Sequence, residues 1–404
     1  MRRITYILLA VLVVVALAGG AYFWYQIAGK NTTAAPGGSA DFFSSLFPFG
    51  NTPNTSHTNG ANGTENQQEN AIAPRLRQVS AAPVSGFGVI ERNGDTIIQY
   101  MDRATGNIYE TYASTTAVSR ISITTVPRIE EALWLGDKHV IMRYLDQDGT
   151  IVTFSANVSS STDATHPGEL SGTFLPANIT TLTARPDGKQ IFYMTKDASG
   201  AHGFTANIDG SKVVTVFESP FSSWQAQWAA TSTIILTTNA SAEAPGVTYA
   251  LSPTGALTRL IGPFAGLTAK ANDTGATVFF SRSQDTSFVS GFYSLKQGFV
   301  AASAIPSLTE KCTWGSQSTT TMYCGAESAP TASTYPDNWY QGITSFNDDI
   351  WALDATGKPA QLLEISSNSI PGGLDLIHPK TDAHTQYLVF MNKNDLSLWS
   401  LQLQ

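Results

Sequence analysis

The feature that most constrains the fold is a unit of four short β-type runs that recurs along the chain. The clearest copy contains Leu182–Arg185, Gln190–Met194, Gly203–Ile208 and Val213–Phe217, separated by turns of Pro, Asp and Gly. Gly in such turns supplies the positive φ that tight hairpins require. Four strands joined by three hairpins within about 40 residues are typical of one blade of a β-propeller.

The second run of this unit marks the repeat most regularly. It occurs seven times, mostly about 45 residues apart, with copies that begin at Thr96, His139, Gln190, Thr233, Thr277, Thr321 and Gln386. The count predicts an all-β, seven-bladed β-propeller over residues 75–404, with six or eight blades as alternatives. The last copy has only three runs, and Arg75–Ser80 stands alone before the first copy. Pairing of this run with the last blade would close the ring and remove an open sheet edge.

Residues 1–28 predict a cytoplasmic tip followed by a transmembrane anchor. Two arginines precede an apolar run, Ile4–Ala28, that carries no charge before Lys30. Such a run is long enough to cross a hydrocarbon core roughly 30 Å thick. The positive-inside rule places its N-terminus in the cytoplasm, so we expect a single-pass protein of the cell membrane whose propeller lies in the periplasm or at the cell surface. A signal peptide cleaved after Ala18 is the alternative, and it also exports the rest of the chain.

Residues 29–74 predict a disordered polar linker. Asn, Thr, Gly, Ser and Pro dominate this segment, which cannot bury enough apolar area to fold and would serve as a spacer. Phe42–Phe49 interrupts it with four phenylalanines and a leucine. Two interpretations are open for this patch: docking on a partner or the membrane surface, or packing against the propeller of its own chain.

The stretch Ala184–Tyr193, which contains Pro-Asp-Gly-Lys before the second run, resembles the repeat signature of TolB-type, WD-like propellers. Asn272–Phe280 is a looser copy. This resemblance implies a propeller and a binding platform over residues 75–404, and it transfers no functional residue of TolB to this chain. The order of anchor, spacer and divergent propeller also resembles that of other exported bacterial proteins.

The chain has two cysteines, Cys312 and Cys324, in the first and second runs of the sixth unit. They are equally distant from the hairpin midpoint near Ser318, so they are expected opposite each other across antiparallel strands, about 4.5 Å apart between Cα atoms. Because an exported location is oxidising, we predict a disulfide. Two buried free thiols are the alternative, and the lack of a Cys-x-x-Cys motif argues against a catalytic dithiol.

The sixth unit carries an insertion, residues 327–347, that contains Tyr335, Trp339 and Tyr340. Aromatic side chains in a long loop are candidates for a binding hot spot. The alternative is a loop that folds back and buries Trp339 against the blade edge, because most large aromatic side chains pack in the interior.

No motif in the sequence indicates catalytic, metal or cofactor chemistry. There is no Gly-x-Ser-x-Gly and no P-loop, and the six histidines are scattered without metal-ligand spacing. The pair Asp348-Asp349 is interpreted as a turn that leads into a strand. A net charge of −8 and a pI of about 5.2 argue against general nucleic-acid binding.

These observations favour a non-catalytic scaffold outside the cell that binds an envelope protein or a glycan, with no cofactor. One alternative is an exported hydrolase or lyase whose site is assembled from blade loops, since spacing along the chain cannot reveal such a site. Another is a structural subunit of an envelope assembly that docks through Phe42–Phe49.

Overall fold

The computed structural model describes residues 71–159, 168–366, 369–370 and 372–403. The predicted anchor, almost all of the linker and the Phe42–Phe49 patch lie outside these residues. Among the described residues, no helix is both long and apolar enough to cross a membrane.

Twenty-eight strands in the described residues form seven antiparallel sheets of four strands each. The first fourteen are β1 (Leu76–Ser80), β2 (Val84–Arg92), β3 (Asp95–Asp102), β4 (Ile108–Tyr112), β5 (Ser119–Arg120), β6 (Ile129–Trp134), β7 (His139–Leu145), β8 (Ile151–Val158), β9 (Leu170–Phe174), β10 (Thr181–Ala184), β11 (Gln190–Asp197), β12 (Gly200–Asn207), β13 (Val214–Ser219) and β14 (Trp224–Ala230). The remaining fourteen are β15 (Thr233–Thr238), β16 (Pro245–Leu251), β17 (Leu257–Ala265), β18 (Thr268–Ala271), β19 (Thr277–Gln284), β20 (Ser287–Ser294), β21 (Gly298–Ala302), β22 (Cys312–Trp314), β23 (Thr321–Ala326), β24 (Asp349–Asp354), β25 (Gln361–Glu364), β26 (Leu376–Thr381), β27 (Tyr387–Asn392) and β28 (Leu398–Gln402). The described residues also contain a 3₁₀ turn, Thr309–Lys311, and a four-residue helix α1, Asp337–Tyr340.

The sheets are the blades of a seven-bladed β-propeller, as the repeat predicts. Blades 1 to 6 consist of consecutive strands, from β2–β5 to β22–β25. Blade 7 has the strand order β26-β27-β28-β1, so the N-terminal strand supplies its outer edge. Leu76 lies opposite Leu401, and Gln78 lies opposite Trp399. The predicted closure of the ring by the run before the first unit is therefore confirmed.

The second strand of each blade forms its buried centre. Ile97 and Ile98 on β3, and Val140 and Ile141 on β7, are all fully buried. Successive strand residues point to opposite faces of a sheet, so burial of both neighbours means that adjacent blades cover both faces. This burial explains why the second run has the most regular apolar pattern in the sequence.

The first strands of the blades line the central channel, where β2 contacts β6, β10 contacts β14 and β22 contacts β26. Because the strands alternate in direction, the turns between first and second strands lie at one end of the propeller, which we call the turn face. The loops between second and third strands lie at the other end, together with the insertion of blade 6. We call this end the insertion face.

Candidate functional site

The insertion of blade 6, residues 327–347, crosses the insertion face and is tied to blades on both sides. Asp337 Oδ2, in α1, accepts a hydrogen bond of 2.7 Å from the backbone N–H of Ala242 in blade 4. On the other side, the Nζ of Lys393 in blade 7 donates a 2.9 Å hydrogen bond to the carbonyl of Trp339. The insertion is therefore an ordered part of the propeller.

Two of the three aromatic residues proposed as a binding loop are buried. Tyr335 is 1% exposed and Trp339 is 3% exposed. The ring of Tyr335 lies 5.1 Å from that of Phe288 in blade 5 and 5.3 Å from that of Phe346. Both side chains fold back against the blades, as the alternative interpretation of the insertion expects. Their apolar rings gain more from packing than from exposure to water. They are not available as a binding surface.

A buried ion cluster lies beneath the insertion. The Nζ of Lys311 is 2.6 Å from Asp348 Oδ2 and 2.5 Å from Asp375 Oδ1, and the three side chains are at most 1% exposed. The same Nζ lies 4.4 Å from the ring centre of Phe346 and 5.3 Å from that of Trp339. We call Lys311, Asp348 and Asp375 the Lys311 cluster.

Asp375 joins the insertion to blade 7 through several hydrogen bonds. Its Oδ2 accepts from the indole Nε1 of Trp339 at 2.9 Å, from the hydroxyl of Ser345 at 3.1 Å and from the backbone N–H of Phe346 at 3.3 Å. Three donors of one loop thus converge on a single buried carboxylate, which orients the loop against the blade.

Asp348 directly precedes β24, as expected for a residue that leads into a strand. Its complete burial was not predicted from the sequence. Burial raises its pKa to about 7, with Asp375 adding to the rise and Lys311 opposing it. Its Oδ2 accepts from the N–H of Leu376 at 2.7 Å, while its Oδ1 has no hydrogen-bond partner among the described residues. Its partners come from two blades, so spacing along the chain contains no signal for this cluster.

Tyr340, the third predicted residue, lies at the mouth of the central channel. Its side chain is 39% exposed, and its hydroxyl donates to the carboxylate of Glu310. The Nε2 of Gln225, on inner strand β14, lies 3.5 Å from the same hydroxyl oxygen. Burial of the hydroxyl, together with the Glu310 charge, raises the pKa of Tyr340, so this group remains a donor.

Several apolar side chains on the insertion face are open to solvent. Phe221 and Ile343 are each 66% exposed, and Phe264 and Tyr340 are each 39% exposed. The ring of Phe221 lies 6.4 Å from that of Trp224, which directly precedes the Gln225 that contacts Tyr340. We call Phe221, Phe264, Tyr340 and Ile343 the apolar patch.

A cleft of about 800 Å³ lies on the same face, between the insertion and blade 7. Its lining includes Glu327, Ser345, Asn347 and Asn394. The Ser345 hydroxyl oxygen, which lies near Asp375, is also 2.7 Å from Asn394 Oδ1. The cleft therefore offers polar groups on the same face as the apolar patch.

Basic residues line the channel farther from the insertion. Lys270 lies on β18, and His378 and Lys380 lie on β26. The lysines are half-buried and His378 is exposed to the channel. Desolvation by the surrounding strands lowers the pKa of each lysine to about 8 and that of His378 to about 4. Within the described part of the chain, no group of three His, Cys, Asp or Glu side chains is arranged to hold a metal ion.

Cys312 and Cys324 lie opposite each other on β22 and β23 and are joined by a disulfide. Their Cα atoms are 4.1 Å apart, and both residues are fully buried. The bridge lies in the blade interior, beside Phe292 and Trp314 of the same apolar cluster. This position supports the blade that carries the insertion.

Comparison with known proteins gives similarity of fold. The sequence matches no family model and no curated protein. Similar solved structures include a streptogramin B lyase, with a TM-score of 0.50 and 10% identity over 81% of this chain and 97% of that chain. They also include TolB from Acinetobacter baumannii (TM-score 0.40, 10% identity, 78% of this chain and 65% of that chain) and the tricorn protease (0.49, 10%, 82% and 34%). This chain thus spans 34% of the tricorn protease and 65% of TolB. At these identities the similarity concerns the propeller fold alone, and the TolB-type membership suggested by Ala184–Tyr193 stays a prediction.

Proposed function

We propose that this chain is a membrane-tethered, extracytoplasmic propeller that acts as a non-catalytic scaffold and binds a protein partner on its insertion face. The observation that carries the proposal is the apolar patch, in which Phe221 and Ile343 are each two-thirds exposed. Isolated apolar side chains on a surface need no explanation, whereas several on one face, together with polar groups, are typical of an interaction site.

The insertion that carries part of the apolar patch favours binding, because tertiary contacts already hold it in place. The insertion that carries Tyr340 and Ile343 is fastened to blade 7 by Asp375 and to blade 4 by Asp337. A surface that is fixed before binding loses little conformational entropy when a partner docks. Aromatic side chains on such a surface are frequent hot spots.

The tether and the compartment rest on residues 1–28 and are proposed from the sequence. The disulfide between Cys312 and Cys324 supports export, because disulfides persist in oxidising compartments. A partner in the cell envelope is consistent with an anchored domain on a spacer of 46 residues.

The test is a crosslinked pull-down from intact membranes with the full-length protein and a Phe221→Ser/Ile343→Ser variant. The matched control is Phe174→Ser/Phe299→Ser, which removes two apolar side chains of 69% and 63% exposure from the outer strands of blades 2 and 5. We expect the wild type and the control to capture the same envelope protein and the insertion-face variant to lose it. Equal capture by both variants would refute docking on this face, and capture of a glycan instead would support a glycan-binding scaffold.

An exported hydrolase or lyase is the second candidate function. It is favoured by three groups of shifted pKa in the channel, Lys270, His378 and Lys380, because perturbed ionisable groups often mark active sites. The measurement is turnover of peptide, ester and oligosaccharide libraries by the wild type and by His378→Ala. Turnover that the variant loses would replace the scaffold proposal with an enzymatic one.

The third interpretation places docking on Phe42–Phe49, outside the described residues. A version of the full chain that lacks residues 42–49 separates it from docking on the propeller. Loss of the captured protein in that version alone would assign docking to the linker.

A further inference from the structure

A second pocket lies in the central channel where it opens on the turn face. This cavity of about 210 Å³ is lined by Gln227, Lys270, Thr313, Trp314, Ser316 and Lys380, among others. Its walls come from the inner strands of blades 4 to 7 and the turns that follow them. Because these turns and the insertion lie at opposite ends of the strands, the cavity is separate from the apolar patch.

Both lysines of this cavity are held by carbonyl groups. Lys270 Nζ donates to the carbonyl of Cys312 at 2.6 Å, and Lys380 Nζ donates to the carbonyl of Phe87 at 2.8 Å. In the part of the chain that the structure describes, neither Nζ forms an ion pair with a carboxylate, in contrast to the buried Lys311. An ammonium group has three hydrogens, so each lysine keeps donors for another acceptor.

The ammonium groups of Lys270 and Lys380 repel each other. Burial lowers the pKa of both lysines to about 8, and Lys270 further disfavours the charged form of Lys380. Asp273, in the exposed β18–β19 turn, and Glu310, toward the insertion face, partly offset the charge of Lys270. His378 has a pKa lowered to about 4 and is neutral near pH 7. Both lysines remain largely protonated near pH 7, where a half-buried ammonium group without a directly paired carboxylate is costly.

The carboxylate of Asp273 also lines the cavity, and neutral hydrogen-bonding groups complete the lining. Thr313 lies on β22 between the two lysines' strands, and the hydroxyls of Ser316 and Thr381 are 2.9 Å apart. Gln227 holds the backbone of Ala271 in place by a pair of hydrogen bonds of 2.9 and 2.8 Å. The walls are therefore fixed, with hydroxyl and ammonium hydrogens available to an acceptor. A cavity of about 210 Å³ is small for a binding pocket, which limits a ligand to a small molecule or one terminal group.

We propose that this cavity binds a small oxyanion, a carboxylate or phosphate group held between Lys270 and Lys380. Such an anion accepts the unused ammonium hydrogens in charge-assisted hydrogen bonds and removes the repulsion between the two cations. This inference is independent of the protein-docking proposal, since it concerns other residues at the other end of the channel.

The test is isothermal titration of the full-length protein in detergent with sodium succinate and with sodium phosphate, each against sodium chloride of equal ionic strength. We expect saturable binding of at least one oxyanion, and the tighter of the two identifies the ligand class. Lys270→Gln and Lys380→Gln should each weaken binding about tenfold or more, which corresponds to loss of one charge-assisted hydrogen bond. Lys296→Gln, which removes an exposed lysine from the β20–β21 turn, should leave affinity unchanged.

If a glutamine variant fails to fold, the affinity of the wild type for succinate, measured over a series of pH values, still tests the proposal. Succinate stays ionised above neutral pH, so its affinity should fall at least about tenfold between about pH 7 and about pH 10, as the lysines lose their protons. Absence of saturable binding, equal affinity in the Lys270, Lys380 and Lys296 variants, or undiminished affinity at about pH 10 would each overturn the proposal.

Discussion

At the scale of single residues, burial decides the behaviour of the ionisable groups. Asp348 is enclosed with Lys311 and Asp375, whereas neighbouring Asp349 begins a strand. A buried ion pair stabilises a fold only when hydrogen bonds satisfy its remaining atoms. Asp375 meets this condition more fully than Asp348, whose Oδ1 has no partner among the described residues.

The raised pKa of Asp348 predicts a pH-dependent stability. The folded state holds the proton more tightly than the unfolded state, because the pKa rises from 3.8 to about 7. The resulting stabilisation is complete below about pH 4 and is lost as pH rises through 7. We expect the free energy of unfolding of the wild type, relative to Asp348→Asn, to fall by about 2–4 kcal/mol between about pH 4.5 and about pH 8, because each tenfold difference in proton affinity is worth about 1.4 kcal/mol.

Urea unfolding of both proteins at the two pH values measures this difference. Asp148→Asn, at an exposed position of the β7–β8 turn, is the control and should track the wild type at both. A constant difference between wild type and Asp348→Asn would contradict the prediction.

At the scale of elements, the carboxylate of Asp375 positions the insertion, and the Cys312–Cys324 disulfide joins two strands of blade 6. The insertion has little regular structure beyond the four residues of α1. Its position comes from Tyr335 and Trp339 in the apolar interior and from the donors that meet Asp375. A loop fixed by tertiary contacts in this way loses its order when a central contact is removed.

Replacement of Asp375 should destabilise the protein strongly. Asp375→Ala leaves Lys311 with one carboxylate and the Trp339 indole N–H without its acceptor. Removing one partner of a buried ion pair costs about 3–5 kcal/mol. Chemical unfolding should show a loss of this size, and protease digestion should cut first within residues 327–347, while Asp148→Ala behaves as wild type. A loss below about 1 kcal/mol would mean that the Lys311 cluster contributes little.

The disulfide should stabilise blade 6 by an amount set by the short loop that it closes. Cys312 and Cys324 are 12 residues apart, and closure of so short a loop is worth about 3 kcal/mol in the chain-entropy picture. We expect a Cys312→Ala/Cys324→Ala variant to melt below the wild type and to be indifferent to reductant. The wild type should shift toward the variant when reduced, and a melting temperature unaffected by reduction would argue against a structural role.

At the scale of the whole molecule, the ring is closed by pairing of its first strand, β1, with its last strand, β28. Strand β1 completes blade 7, and buried Arg77 on that strand donates to the carbonyl of Tyr112 and to the hydroxyl of Thr111 in blade 1, both at 3.0 Å. The N-terminal strand thus contacts the last blade and the first blade at once. A propeller without this strand would expose the edge of β28.

Truncation tests this closure. A version that begins at residue 81 lacks β1, whereas one that begins at residue 71 keeps it and serves as the control. We expect the shorter version to unfold at a denaturant concentration well below that of the control and to aggregate through its open edge. Equal unfolding midpoints would show that blade 7 is stable with three strands.

Much of the fold could be predicted because its signals are local or periodic. The second strands are buried on both faces, so their β-branched and aromatic runs recur visibly, as at Gln190–Met194 and Thr277–Phe280. The lone run before the first unit and the incomplete last unit together indicated closure. The pairing of Cys312 with Cys324 followed from register, since a hairpin places residues equidistant from its turn opposite each other.

The sequence by itself determined the strand repeat, the number of blades, the closing strand and the position of the insertion. Only the tertiary structure decided which side chains meet. Lys311 and Asp375 are 64 residues apart, and Lys270 and Lys380 come from blades 5 and 7. Periodicity reports whether a residue faces the interior of its own blade, whereas these contacts depend on how seven blades are arranged around one channel. The same limit explains Trp339 and Tyr340, adjacent in sequence, of which the first is buried and the second is 39% exposed.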